Sequence, residues 1–173
     1  MPDEFIGTEV ADPAFFRSGC PRGRRCRYSD ANFSAGNSAT SFTLGAIART
    51  TGPNNGSLEI AGEFSISGQD AAIVGQTANK VGRTTGWTQG RVTRTCVNTG
   101  VSASNIVMLC QDFVENNLEI VAGGDSGSPV FRINNSGRAT LLGNLWGGNS
   151  SGTLFVYSPI ANIERELGPL TTF

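Results

Sequence analysis

The apolar positions of the chain come in short runs separated by clusters of Gly, Asn, Ser, Thr and Pro. "SFTLGAIA" alternates Phe42, Leu44, Ala46 and Ala48 on one face, and "SLEIAGEFSI" alternates Leu58, Ile60, Gly62, Phe64 and Ile66. Successive side chains of an extended chain point to opposite faces, so this period of two predicts half-buried strands. The stretch "TTGPNNGS" between them is a turn cluster. Further runs are "AAIVG", "GRVTRTCV", "NIVMLCQDFV", "SPVFRI", "TLLGNLWGG" and "TLFVYSPI", each bounded by Gly, Asn, Ser or Pro. Several short strands with this punctuation predict an all-β barrel or sandwich. One stretch changes period. "PIANIEREL" places Ile160, Ile163 and Leu167 on one helical face, with Pro159 in the first turn and Gly168 as a stop. Residues 1–40 follow no period. A boundary near Gln76–Lys80 divides the chain into a first strand set, 1–75, and a second, 76–173.

Charge narrows the partners. Thirteen basic and fourteen acidic residues give a net charge of −1, which gives no reason to expect nucleic acid or a membrane surface. The basic cluster "RGRRCR", Arg22 to Arg27, reads as a solvated loop, with polyanion binding as its alternative. No apolar run approaches the roughly 20 residues that cross a membrane. The N-terminal "MPDEFIGTEV" has neither the basic region nor the apolar core of a signal peptide.

The four cysteines are Cys20, Cys26, Cys96 and Cys110. They form no C-x-x-C pair and the chain has no histidine to join them, so neither a metal site nor any cofactor is expected. Paired locally, Cys20–Cys26 and Cys96–Cys110 would close two short loops worth about 2–3 kcal/mol each in the chain-entropy model. Such bridges imply an oxidising, secreted or periplasmic location. Four buried thiols remain the alternative.

The most specific chemistry lies in "AGGDSGSPVF", Ala122 to Phe131. Acyl transfer needs an exposed nucleophilic oxygen and backbone N–H groups converging where a carbonyl becomes an oxyanion. "GGDSG" supplies both: Ser126 as nucleophile, and the N–H groups of Gly124 and Ser126 as donors. The G-x-S-x-G pattern of another hydrolase class fails, because residue 128 is Ser.

This loop resembles the nucleophile loop of bacterial chymotrypsin-like (trypsin-like) serine proteases. "KVGRTTGWTQGRV" resembles the start of that family's second barrel, and "LLGNLWGGNSSGTLFVYSPI" its pocket-forming strands and C-terminal helix. The spacing of Cys96 and Cys110 is similar to that of the family's disulfide upstream of the nucleophile. The resemblance implies an all-β fold of two six-stranded antiparallel Greek-key barrels, the first incomplete, with a short C-terminal helix. It implies a serine endopeptidase acting on protein or peptide through an acyl-enzyme on Ser126. Asp30, in "CRYSDANFS", is the favoured triad aspartate, with Asp70 in "GQDAAIV" as rival. Asp125 is expected in a buried ion pair with an internal cation, Lys80 or Arg83, and Lys80, the only lysine, fits better. Ile120 falls at the base of the specificity pocket and implies an apolar substrate residue, which the adjacent Glu119 would reverse if the loop shifts by one. Gly147 and Gly148 form the pocket walls, with Trp146 beside them where a small residue is expected.

The family's histidine lies upstream of the aspartate, and this chain has no histidine anywhere. The expectation is a chain matching the C-terminal three-quarters of a protease, with the histidine segment before Met1. Such a chain is inactive alone and leaves a first barrel that a second chain could complete. The alternative is a pseudoprotease that binds without turnover.

Overall fold

The computed structural model describes residues 6–171. Its strands are β1 (Gly7–Ala11), β2 (Arg25–Arg27), β3 (Phe33–Gly36), β4 (Ala46–Thr50), β5 (Ile60–Gln69), β6 (Thr77–Gly82), β7 (Gly86–Gly100), β8 (Ile106–Glu115), β9 (Pro129–Ile133), β10 (Ala139–Gly148) and β11 (Leu154–Pro159), followed by α1 (Ile160–Leu167).

Six strands close on themselves. β6 pairs β7, β7 pairs β8, β8 pairs β11, β11 pairs β10, β10 pairs β9, and β9 returns to β6, all antiparallel. Closure leaves no free edge among them. The inward positions of each strand supply the core: Ala78 of β6, Val92 of β7, Val114 of β8, Val130 of β9, Leu142 and Leu145 of β10, and Phe155 and Tyr157 of β11. The expected C-terminal helix is present. Pro159 immediately precedes its first residue, and Gly168, at φ 86°, ends it by donating its N–H to Glu164 O. Ile160 and Ile163 are buried. Both short bridges, Cys20–Cys26 and Cys96–Cys110, are formed.

The earlier strands do not close. β1 and β3 form a separate two-stranded sheet, and β4 pairs β5 as an antiparallel hairpin. Two pairings depart from the antiparallel expectation: β5 runs parallel to the start of β10, and β2 runs parallel to β8. Each parallel pair is bridged by a long crossover, as parallel strands require. The alternating faces read from residues 42–66 also need correction. β4 begins only at Ala46, and it buries Ile47, opposite Phe64, rather than Ala48. Ile47 and Phe64 share a small core with Phe131 and Ala139 of the barrel. Phe42, Leu44, Leu58 and Ile60 lie beyond that core and stand exposed. Period two found the inward face of β5, at Phe64 and Ile66, but not that of β4, where the face is chosen by what packs on it.

Candidate functional site

The loop between β8 and β9 carries "AGGDSG", and its shape is fixed from below by one carboxylate. Asp125 is fully buried. Its Oδ1 accepts the N–H groups of Thr84 (2.8 Å) and Thr85 (3.1 Å). Its Oδ2 accepts Thr85 Oγ1 (2.7 Å) and Ala122 N (3.0 Å), and lies 3.2 Å from Lys80 Nζ. Lys80, on β6, has 0% exposure and also donates to Thr85 Oγ1 and Gly86 O. A buried charge is tolerable when it is paired and its remaining hydrogen-bonding capacity is filled. Burial alone would raise the Asp125 carboxyl, but the bonds from Thr85, Ala122 and Thr84 and the charge of Lys80 outweigh it and hold it below the ordinary carboxylate value. Burial pulls Lys80 below its ordinary value, with Asp125 offsetting part of that. Of the two candidate cations, Lys80 makes the contact.

The strand turn that supplies Thr84 and Thr85 comes close enough to need a glycine. A Cβ on Gly82 would sit 2.3 Å from Asp125 Oδ1 and 2.6 Å from Ser128 Oγ. Gly124, at φ 98°, occupies backbone space that favours glycine, and a Cβ there would meet Thr84 Oγ1 at 2.6 Å. Thr84 Oγ1 donates to Gly123 O at 2.8 Å. Among the described residues the N–H groups of Gly124 and Ser126 have no hydrogen-bond acceptor, whereas those of Asp125, Gly127 and Ser128 bond to Ala122, Leu145 and Asp125 carbonyls. The loop thus leaves two backbone donors free beside an exposed Ser126.

Ser126 and Asp30 line the same cleft, of roughly 800 Å³, together with Asn144 and Leu145 of β10 and with Glu9, Asp12 and Phe15 of the first region. Asp30 donates its N–H to Ser158 Oγ (2.9 Å), and its carbonyl accepts Asn144 Nδ2 (3.3 Å). Asp70 lies elsewhere. It follows β5, bonds Leu141 O through its N–H, pairs with Arg132 at 3.0 Å, and lines a different cavity.

A second cavity of roughly 470 Å³ shares Asp30 and Phe15 with the serine cleft and is lined by Trp146, Gly147 and Gly148. Ile120, expected at a pocket base, has 0% exposure in the barrel core and lines neither cavity. Its side chain turns inward from the loop, where Gly90 leaves room for it: a Cβ on Gly90 would meet Ile120 Cδ1 at 3.1 Å. Glu119 is exposed and lines a third cavity with Thr84 and Thr85.

Sequence reasoning missed Thr84, Thr85, Ser158, Gln111 and Glu166. The two threonines had a signal, since "GRTTG" places two hydroxyls between glycines beside the only lysine. The arginine cluster proves structural in part. Arg27 is buried, 2.8 Å from Asp12 Oδ1, and Arg24 and Arg25 bond Ser104 O and Asn105 Oδ1.

No family model and no curated protein matches the sequence. Solved structures do match. Protease A of Thermobifida fusca superposes with a TM-score of 0.61 at 22% identity, over 94% of this chain and 76% of its own. The chymotrypsin of Cellulomonas bogoriensis gives 0.60 at 19%, over 97% of this chain and 90% of its own. A Nocardiopsis protease gives 0.56 at 23%, over 92% and 76%. The chain has the fold of bacterial chymotrypsin-like serine proteases.

Proposed function

We propose that this chain carries the serine and aspartate parts of an endopeptidase site, and that it needs a base from outside its own residues to turn over. One observation carries the reading: Ser126 and Asp30 share one cleft above a loop whose buried Lys80–Asp125 pair leaves two N–H groups free. Ser126 is the nucleophile. The N–H groups of Gly124 and Ser126 receive the oxyanion, a role in which one donor is worth about 2.7–4 kcal/mol of barrier. Asp30 orients and stabilises the base once it is protonated. Trp146, Gly147 and Gly148 bound the space for substrate side chains. Residues 1–75 act as a partial barrel and 76–173 as the barrel that holds the site. The two disulfides fit an extracytoplasmic, secreted or periplasmic protein, the substrate is protein or peptide, and a second chain can complete the open first region.

With no histidine in the sequence, the serine keeps its proton at neutral pH and the chain alone performs no measurable peptide hydrolysis. Free imidazole tests the reading. In fluorophosphonate labelling Ser126 Oγ bonds to phosphorus, fluoride leaves, and the hydroxyl proton passes to imidazole. Labelling should rise at least tenfold with imidazole and vanish in Ser126→Ala. A labelling rate equal in both proteins would sink the assignment. The absence of histidine also favours a second reading, a module that binds peptides without cutting them. Peptide binding that persists while imidazole has no effect would select it.

A further inference from the structure

The loop that bears Asp30 belongs by sequence to the first region, yet its polar groups are held by the closed barrel and the helix that follows it. Glu166, in the last turn of α1, is the centre of this attachment. Its side chain is 9% exposed. Oε1 accepts Tyr28 N at 2.7 Å, and Oε2 accepts both Ser29 N at 2.9 Å and Ser29 Oγ at 2.7 Å. Arg27 Nε lies 3.6 Å from the same carboxylate, and the Arg165 guanidinium sits 3.6 Å from the Tyr28 ring centroid. The carbonyl of Tyr28 accepts Gln111 Nε2 at 2.7 Å. Gln111, fully buried on β8, accepts Ser158 Oγ (2.9 Å) and Trp146 Nε1 (2.8 Å) on its other end. Ser158 Oγ in turn accepts the N–H of Asp30.

Every backbone donor from Tyr28 to Asp30 is therefore taken by a side chain of the barrel or of α1. One carboxylate accepting two successive N–H groups fixes the path of the chain into the next residue, and that residue is Asp30. We propose that Glu166 is a positioning residue for Asp30, holding it in the serine cleft together with Arg27 of β2, which donates to Ala31 O on the far side of Asp30. This rests on the serine-site reading above, and it extends that reading to a residue far along the chain from either reactive group.

Charge and acceptor count make the role testable. Glutamine at 166 keeps the size but turns one acceptor oxygen into a donor facing the loop's own donors. In Glu166→Gln, hydrogen exchange at the Tyr28 and Ser29 amides should speed up at least tenfold while barrel amides such as those of β7 and β10 keep their protection. Imidazole-dependent labelling of Ser126 should fall at least tenfold. Asp30→Asn should lower labelling similarly, and the double variant should lose no more than the worse single one, because both act through one group. Ser29→Ala removes one of the three donors and supplies a milder variant, with an intermediate effect, should Glu166→Gln fold poorly. Amides protected as in the wild type would overturn the proposal, and so would labelling that is unchanged once they exchange freely, or losses that simply add in the double variant. If the wild-type chain shows no imidazole-dependent labelling, the serine reading fails. The amide exchange then decides by itself whether Glu166 holds the loop.

Discussion

From β6 to β11 every strand has two neighbours and the ring has no edge, whereas before residue 75 the chain forms a hairpin, a two-stranded sheet and one short strand laid against β8. The contrast extends to the surface. Ten of the twelve large apolar side chains that stand exposed among the described residues lie before residue 75, Phe42, Leu44, Leu58 and Ile60 among them. The described residues leave that surface uncovered. The lesson is one of division of labour. The closed barrel supplies the loop that bears Ser126, its buried ion pair and the side chains that hold the Asp30 loop, and the first region contributes Asp30, the aspartate of the proposed site. A site can thus stay assembled while a neighbouring layer remains open, provided its attachments run to the closed part.

The sharpest way to break the comparison is to strike the ion pair on which the barrel side depends. Asp125→Asn leaves the Lys80 charge buried without a counter-charge, and truncating one partner of a buried pair costs about 3–5 kcal/mol. Urea unfolding should show a loss of that order, together with loss of labelling at Ser126. A loss below about 1 kcal/mol would mean that water reaches Lys80 and that the nucleophile loop is no better anchored than the first region.

Next in size is a matched pair of truncations. Leu142, in the core at 1% exposure, should lose about 2–5 kcal/mol on change to alanine, through transfer and cavity terms together. Leu44, at 69% exposure, should change stability by no more than about 0.5 kcal/mol. Similar losses at the two sites would show that something covers the first region in solution and that its open surface is not what the protein presents.

The two halves were also unequally legible in the sequence. The loop around Ser126 and the terminal helix could be read because their residues are close in sequence, and the pairing of Lys80 with Asp125 because the family resemblance implied it. The strands of residues 42–66 could be found by period, and so could the inward face of β5, but not that of β4. Ile47 is inward because Phe64, Phe131 and Ala139 meet it there, and contacts between elements so far apart in sequence leave no local trace. Ile120 failed for a related reason. Counting back from the serine gave its position along the chain, but its orientation depends on the core it packs into and on Gly90 beside it. Glu166 had no signal at all, since an acidic residue in a last helical turn reads as solvated until the loop it holds is seen.

A smaller effect follows the pH. Asp125 titrates below its ordinary value in the folded protein. The unfolded chain then binds the proton more readily, so stability rises with pH across the window between the two values. The contribution is complete above the unfolded value of about 3.9 and is lost as pH falls through the folded one. Unfolding free energies measured from neutral pH to well below about 3.9 should fall on the acid side, and the fall should be shallower in Asp125→Asn. An equally steep acid limb in that variant would assign the loss to other carboxylates and remove the pair from its place as the barrel's acid-sensitive support.

The smallest effect runs the other way, and it probes whether the closed barrel bears a cost that the open region does not. Asp112, on β8, is 4% exposed, and its Oδ1 accepts Cys96 N at 2.9 Å. Burial raises its carboxyl above the ordinary value, with the Cys96 N–H and Tyr157 opposing part of the rise. Tyr157 is fully buried, and its own ionisation is pushed upward by burial first and then by the Asp112 charge. A carboxyl raised in the folded state binds its proton more tightly there, so ionisation costs stability above the raised value and protonation restores it as pH falls toward about 3.9. Asp112→Asn removes the charge, keeps an acceptor for Cys96 N, and turns an amide donor toward a phenol oxygen able to accept it. The variant should therefore be more stable than wild type at neutral pH by up to about 1 kcal/mol, and the advantage should shrink as the pH approaches 4. Paired urea titrations at pH 7 and near pH 4.5 read the difference directly. A variant that is less stable at both values would show that the ionised carboxylate is satisfied within the barrel and carries no cost there.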